Sequence, residues 1–379
     1  MSERAFDIVL FGATGFTGEQ VAHYLADARC ERLRWALAGR NREKLERLKA
    51  QLVGRHASPA VMVAEAGDSE SMHALVSTTR VVITTVGPYL EHGEALVAAC
   101  AEYGTDYADL SCEPEFLRRS SERYHALAEI SQARIIHACG FDSMSHDLGA
   151  YFAVTALRRR LTLGEQDTLP VVVRGVGVSG GSFRSLVGLL GRLRRSAARG
   201  LPLMAAGRRI SALRQRFEYR KPLGMWVMPL PSVDSLIVGR SARALDVYGP
   251  SFQYGHYLGL RHLLHVVRAA AGLGAAFGLS RWQRTRSWLI ERNPATRGWF
   301  RVLFEAQAGA HSLRAVVRAG DADELESAKM LAETGLCLAF DRVLLPRRFG
   351  VLTAAVAMGD VLVARLQRAG IVFEVLASA

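Results

Sequence analysis

A glycine-rich turn within the first twenty residues constrains the fold most. The apolar run Phe6–Phe11 precedes Gly12-Ala-Thr-Gly15-Phe-Thr-Gly18, and apolar residues at helical spacing follow it. Glycines let the backbone turn sharply and approach a pyrophosphate, and a helix amino terminus offers N–H groups and partial positive charge. The sequence therefore predicts strand, phosphate-binding loop and helix. The predicted cofactor contacts here are Gly12, Thr14, Gly15, Phe16, Thr17 and Gly18.

Strands and helices alternate from this turn to about residue 150. Apolar, β-branched runs predict six strands, and amphipathic segments predict helices between them. This alternation is typical of an α/β fold in which helices cover both faces of a doubly wound parallel sheet, a Rossmann domain, over residues 1–150. The predicted strands cover 6–11, 33–38, 60–64, 81–86, 106–109 and 134–138.

The alternation breaks down after residue 150, which predicts a second, mixed α+β domain over 151–344 for the substrate or for interactions. Its predicted strands cover 171–178, 236–239, 300–306 and 312–317, the last two antiparallel across a turn at Gly309. Asp323–Phe340 is predicted as an amphipathic helix. A helix over 359–369 and a strand over 371–375 follow, and packing of 345–379 back on the first domain is left open.

The end of the second predicted strand indicates which nicotinamide cofactor binds. NAD-binding proteins often carry an acidic residue there for the ribose 2′-hydroxyl. This chain instead has Gly39-Arg40-Asn41, and a guanidinium suits a 2′-phosphate, so we expect NADP(H), with Arg40 and Asn41 as contacts. Asp68, after the third strand, is predicted beside the adenine, although it also fits a helix N-cap.

Two loops beyond the carboxyl ends of later strands carry the candidate chemistry. Gly87 and Pro88 follow the fourth strand and are expected to line the nicotinamide. Hydride transfer needs a proton donor or acceptor besides the cofactor, and Tyr89 and His146 are the candidates by residue type and position. The alternatives are that Tyr89 only packs and that His146 faces water. No metal site is expected, because the five cysteines form no C-x-x-C pair.

The charge balance is basic, with 48 Lys and Arg against 36 Asp and Glu. The excess concentrates in 190–221, which fits a solvated helical face, an anionic lipid surface or an acidic carrier protein. Nucleic acid is not expected, because no binding motif accompanies the charge. The polar amino terminus and the lack of a spanning apolar segment predict a cytoplasmic protein that is not secreted, with peripheral membrane contact and a homodimer left open.

Several strings together resemble the saccharopine dehydrogenase-like oxidoreductases and, within them, the bacterial trans-acting enoyl reductases. The strings are GATGFTG, AGRNREKL, TVGPYLEHGEALVAACAEYGTDYADLSCEPEFL and GFDSMSHDLG, with further likeness in RGWFRVLFEAQA and GVLTAAVAMGDVLVARLQRAGIVFEV. The resemblance implies a Rossmann domain joined to an α+β domain and a nicotinamide cofactor. For the enoyl reductase branch it implies reduction of a carbon–carbon double bond on a lipid or polyketide chain.

Three functions follow from these expectations. The first is an NADPH-dependent enoyl reductase acting on a hydrophobic small molecule or on a carrier-bound acyl chain. The second is a catalytically silent NADP(H)-binding protein that associates with a lipid or a partner. The third is a saccharopine-type imine oxidoreductase.

Overall fold

The structure is a computed structural model that describes residues 4–28, 33–53, 58–179, 204–205, 208–230, 232–260, 300–320 and 323–377. The chain divides into two compact units, one of Met1–Met144 with Glu324–Ala369 and one of Ser145–Asp323 with Gly370–Ala379. These bounds differ from the sequence-based ones, because the helix after residue 323 groups with the first unit and the last ten residues group with the second.

The strands fall into two sheets, one in each unit. Their bounds in chain order are β1 Phe6–Phe11, β2 Trp35–Gly39, β3 Ala60–Val63, β4 Thr79–Thr84, β5 Asp106–Asp109, β6 Arg134–Ile136, β7 Val171–Ser179, β8 Met204–Ala205, β9 Arg208–Ala212, β10 Glu218–Arg220, β11 Met225–Pro229, β12 Ser251–Leu260, β13 Phe300–Ala308, β14 His311–Ala319, β15 Gly350–Leu352 and β16 Val372–Leu376.

Helices separate most of the strands of the first unit. The α-helices of both units, in chain order, are α1 Phe16–Asp27, α2 Arg42–Gln51, α3 Ser69–Ser77, α4 Tyr89–His92, α5 Glu94–Tyr103, α6 Pro114–Ser131, α7 Phe141–Arg158, α8 Leu163–Thr168, α9 Val233–Ala244, α10 Asp323–Phe340, α11 Ala354–Ala357 and α12 Gly359–Arg368.

The sheet of the first unit confirms the predicted fold class. Within the described residues it has seven strands in the order β15-β6-β5-β4-β1-β2-β3, and every neighbouring pair is parallel. The six strands β1 to β6 follow the order of a doubly wound dinucleotide-binding sheet, in which the strand order reverses between β1 and β4. Ligands bind such sheets beyond the carboxyl ends of the strands at that reversal.

Buried apolar side chains hold this sheet between its helices. Ile8, Val9 and Leu10 of β1 are fully buried, as expected for a central parallel strand covered on both faces. Helix α10 packs closely on the sheet, since a Cβ atom on Gly335 would lie 2.3 Å from Cδ1 of Ile83. The glycine therefore permits the close approach of helix and strand.

The second unit contains a mixed sheet, as predicted. Over the described residues its main path runs β10-β11-β12-β7-β13-β14-β16, with β9 also paired to β12 and β8 to β9. Strands β13 and β14 are antiparallel across Gly309, whose φ of +55° is a conformation that favours glycine. The final strand β16 completes one edge by pairing with β14.

One predicted strand is wrong, and several strands were not predicted. The strand predicted over 236–239 is wrong, because these residues lie inside helix α9, and a short apolar run does not distinguish a strand from a buried helix. Strands β8 to β12, which lie in an irregular part of the sequence, were not predicted, and neither was β15, whose three residues are too few to show a period. In the basic segment 190–221, residues 190–203, 206 and 207 lie outside the described residues.

Within the described part of the chain, no helix has the length and apolar character needed to cross a membrane.

Candidate cofactor-binding and active site

The predicted phosphate loop joins β1 to α1 as a tight backbone turn. Gly12 has a φ of +85°, and its N–H donates to the carbonyl oxygen of Ala38 on β2 at 2.9 Å. The N–H of Gly15 donates back to the carbonyl oxygen of Gly12 at 3.1 Å. A Cβ atom on Gly18 would lie 2.2 Å from that same oxygen, so the helix can start this close to the loop only with glycine there.

The amino terminus of α1 has the features of a phosphate site. Its N-cap is Gly15, which provides no side-chain hydrogen bond to the first helical turn. Amide groups at this end of a helix favour an anion. Thr14 and Thr17 are partly exposed and Phe16 is 62% exposed, so the loop is open to a ligand.

Arg40 follows β2 directly and is exposed, which suits contact with a 2′-phosphate. The neighbouring Asn41 uses its side chain as the N-cap of α2, where its Oδ1 accepts from the N–H of Lys44 at 2.9 Å. Asp68 likewise caps α3, with Oδ1 accepting from the N–H of Glu70 at 3.1 Å. Both side chains are therefore committed to helix capping, whereas Arg40 projects from the surface.

The loop after β4 lies against the glycine loop at the reversal point of the sheet. The Thr85 hydroxyl donates to the carbonyl oxygen of Gly12 at 3.0 Å, and a Cβ atom on Gly12 would lie 2.7 Å from Cγ2 of Val86. The Gly87–Pro88 peptide bond that follows is cis. The loop predicted to hold the pyrophosphate and the loop predicted to line the nicotinamide thus meet at the place where dinucleotides bind such sheets.

Tyr89 is buried and ties this loop to the next one. Its hydroxyl donates to the carbonyl oxygen of Thr84 at 3.3 Å and accepts from the N–H of Leu110 at 3.2 Å. Burial, reinforced by the charge of Asp109, raises the pKa of the phenol well above its usual value. Both hydrogen-bonding partners are backbone groups, so the side chain holds the loops after β4 and β5 in register.

Glu113 reinforces the same junction from the loop after β5. Its Oε1 accepts from the N–H of Tyr89 at 3.0 Å and its Oε2 accepts from the N–H of Leu90 at 2.9 Å. A carboxylate on the first amides of a helix satisfies donors that have no partner within the helix. No sequence motif points to this contact.

A buried serine–histidine–aspartate arrangement lies in the same unit. Nδ1 of His137 is 2.7 Å from Oδ2 of Asp109, and Nε2 is 2.7 Å from Oγ of Ser120. Asp109 also accepts from the hydroxyl of Tyr107 and the N–H of Ser111. All these side chains are at most 5% exposed and bonded to one another, so the network supports the strand ends.

The structure places His146 in the second unit, on α7, and the alternative that it faces water is wrong. The side chain is buried, and its Nδ1 is 2.7 Å from the hydroxyl of Tyr254 on β12. Burial, reinforced by Asp234 and Asp147, raises the pKa of the Tyr254 phenol. Tyr254, Asp234 and His256 were missed by sequence reasoning, since no spacing links them to position 146.

Comparisons with known proteins support an NADP-binding domain in the first unit. Residues 8–136 match the family model of the saccharopine dehydrogenase NADP binding domain. Over 408 residues the chain is 36% identical to a provisionally named trans-acting enoyl reductase of Mycobacterium tuberculosis, with 97% of each chain covered. It is 33% identical to the trans-acting enoyl reductase of Mycobacterium ulcerans over 415 residues, with 98% of each covered.

Among solved structures, the fold is similar to apo saccharopine dehydrogenase (L-Glu forming) from Saccharomyces cerevisiae. The TM-score is 0.59 at 11% identity, with 98% of this chain and 100% of that chain covered, which shows a shared fold. Together with the glycine loop and the sheet order, the match to the NADP binding domain identifies the cofactor as NADP(H). The chain belongs to the family of the trans-acting enoyl reductases, NADP-dependent oxidoreductases with a saccharopine dehydrogenase-like fold.

Proposed function

We propose that this protein is an NADPH-dependent enoyl reductase that reduces a carbon–carbon double bond of a lipid or polyketide-type acyl chain. The observation that carries the proposal is the full-length likeness to proteins named trans-acting enoyl reductases. The glycine loop and Arg40 support it, because both match the requirements of an NADPH site.

The residues of the first unit take separate parts of the cofactor. The amides at the start of α1 would hold the pyrophosphate and Arg40 would hold the 2′-phosphate, while the backbone of Gly87 and Pro88 would line the nicotinamide. NADPH supplies the hydride that adds to the electrophilic carbon of the enoyl group. The protein then has to orient the substrate and deliver a proton to the adjacent carbon.

His146 is the side chain that we assign to this proton, with water as the alternative source. Its hydrogen bond to the Tyr254 hydroxyl links it to a second ionisable group, and such a pair can pass a proton along. Tyr89, the other candidate, has a hydroxyl already bonded to two backbone groups. We therefore assign Tyr89 to positioning the loop that lines the nicotinamide.

The term trans-acting in the relatives' names indicates a substrate carried by a separate protein. Basic residues of the second unit would suit an acidic acyl carrier or the surface of an anionic membrane. In the described part of the basic segment they are Arg208, Arg209, Arg214, Arg216, Arg220 and Lys221, beside the acidic Glu218.

The test is turnover by the purified full-length protein with NADPH and a panel of thioesters. The panel holds an enoyl, a 3-oxoacyl and a saturated acyl thioester, together with a 2-oxo acid mixed with an amino acid. If the proposal is right, NADPH is oxidised only when the enoyl thioester is present. Mass spectrometry should then detect a product heavier than this substrate by two hydrogens. Reaction only with the 2-oxo acid and amino acid would indicate an imine oxidoreductase, and tight NADPH binding without any turnover would indicate a silent binding protein.

A further inference from the structure

We propose that His146, Asp234 and His256 form a binding site for one divalent first-row transition metal ion of the zinc type. The three side chains come from α7, α9 and β12, far apart in sequence and all in the second unit. Each residue is 4% exposed. One potential ligand atom from each lies within 4.8 Å of the others.

The distances suit a small cation. The carboxylate of Asp234 lies beside the ring of His256, with Oδ2 3.5 Å from Nδ1. Two ligand atoms of a tetrahedral zinc site, with bonds of about 2.0–2.2 Å, are about 3.3 Å apart. A ligand atom at the 4.8 Å limit has to move by about 1.5 Å, which a change of side-chain torsion supplies.

The electrostatics of the cluster also favour a cation. The imidazole rings of His146 and His256 have centroids 4.0 Å apart, so protonating both would place two like charges in contact inside the unit. Two neutral imidazoles and an ionised Asp234 together carry one negative charge, which favours a bound cation. A divalent cation satisfies the carboxylate and uses one nitrogen lone pair from each ring.

Neighbouring hydroxyl groups orient these side chains as outer partners orient metal ligands. The Tyr254 hydroxyl is 2.7 Å from Nδ1 of His146, which leaves Nε2 of that ring as the ligand nitrogen. The Ser232 hydroxyl donates to Oδ2 of Asp234 at 2.7 Å and accepts from Nδ1 of His256, 2.5 Å away, which leaves Nε2 as the ligand nitrogen of that ring too. Three protein ligands leave one coordination position for water or for an exogenous group.

Gly175 on β7 provides the space for this arrangement. A Cβ atom there would lie 2.3 Å from the Tyr254 hydroxyl oxygen and 2.9 Å from Nδ1 of His146. Any larger residue would push the two apart and break the contact that orients His146. The absence of a side chain at position 175 therefore allows the contact between Tyr254 and His146.

His146 can bind the metal or deliver the proton but cannot do both at once, because the ring nitrogen that binds the metal has no lone pair left for a proton. With the metal bound, water is the proton source in the proposed reaction. The metal site does not depend on the proposed reductase reaction. It is measured by binding alone, so failure of one proposal is distinguishable from failure of the other.

The experiment uses the full-length protein, freed of metal with a chelator and then titrated with Co²⁺ followed by visible absorption. Zn²⁺ is added last as a competitor. We expect one equivalent of Co²⁺ with the absorption of a low-coordinate nitrogen and oxygen site, displaced by Zn²⁺. Because imidazole must be neutral to bind, the affinity should fall as the pH is lowered through the histidine range.

Variants locate the site. His256→Gln and Asp234→Asn should each weaken Co²⁺ binding at least about 100-fold, and Tyr254→Phe should weaken it about 10- to 100-fold through the outer partner. His311→Gln, a partly exposed histidine of the same unit, should bind as wild type does. Far-UV circular dichroism checks that each variant is folded. Wild-type protein that binds no stoichiometric Co²⁺ would overturn the proposal, as would folded His256→Gln and Asp234→Asn variants that bind it normally.

Discussion

Gly18 packs so closely on Gly12 that a Cβ atom at position 18 would lie 2.2 Å from the Gly12 carbonyl oxygen. That oxygen already accepts hydrogen bonds from the N–H of Gly15 and the hydroxyl of Thr85. The helix start, the phosphate loop and the loop after β4 are therefore fixed at one atom. A side chain at position 18 has to displace this arrangement.

Gly18→Ala should weaken NADPH binding at least about ten-fold and destabilise the protein by about 1–3 kcal/mol, the usual cost of overpacking. A fluorescence titration with NADPH and a denaturant melt measure the two effects. Gly67→Ala is the matched control, because a Cβ atom on Gly67 meets nothing within 4 Å. Binding by Gly18→Ala within two-fold of wild type would show that this loop does not hold the pyrophosphate.

Arg40→Ala should reduce the preference for NADPH over NADH by about 10- to 100-fold, the value of a charge-assisted hydrogen bond to the 2′-phosphate. The affinity for NADH should stay nearly constant, since NADH lacks that phosphate. Parallel titrations with both nucleotides measure the ratio. Arg47→Ala removes an exposed arginine of α2 as the control, and an equal loss of preference there would point to general surface charge instead.

Tyr89→Phe and His146→Gln should separate positioning from proton delivery in the proposed reaction. Without its hydroxyl, residue 89 leaves the N–H of Leu110 without this acceptor, and we expect a loss of about 1–2 kcal/mol in stability with a small change in kcat. His146→Gln should lower kcat by about 10²–10⁴-fold. Measuring kcat of both variants as a function of pH distinguishes the two roles. A large fall in kcat for Tyr89→Phe with a small change for His146→Gln would assign proton delivery to Tyr89.

Asp106 should make stability depend on pH. Burial raises its pKa to about 6, despite the nearby guanidinium groups of Arg342 and Arg134. A raised pKa means that the folded state holds the proton more tightly, so this contribution is complete below about pH 4 and is lost as the pH rises through 6. The loss amounts to about 3 kcal/mol.

The stability difference between wild type and Asp106→Asn measures this contribution, because asparagine does not titrate. Between pH 4 and pH 7 the difference should shift in favour of the variant by up to about 3 kcal/mol. Asp360→Asn, an exposed carboxylate at the start of α12, should show no such trend. A pH-independent difference for Asp106→Asn would contradict the raised pKa.

Local signals were sufficient for the first sheet. Most strands from β1 to β6 carry an apolar, often β-branched run next to a helix with an amphipathic period, and these patterns act over a few residues. The glycine loop and Arg40 were also readable, because their chemistry depends on adjacent positions in the sequence. Strand β15 was not, since its three residues join the sheet only through pairing with β6.

The second unit was less readable because its important contacts are distant in sequence. Val176 and Leu303 share a core cluster only after β7 and β13 have paired. The surroundings of His146 were hidden for the same reason, since Tyr254 and Asp234 reach it through the fold. A histidine in an amphipathic segment gives no indication of which partners the tertiary structure will supply.

Strand β15 has a consequence for how the protein is made. The ribosome delivers β6 long before β15, and the entire second unit except its last strand emerges in between. Until then the nascent cofactor-binding sheet has β6 as an open edge, of the kind that pairs with other chains. Pairing of β15 with β6 closes that edge, so aggregation of the growing chain is a hazard until residue 352 has been made.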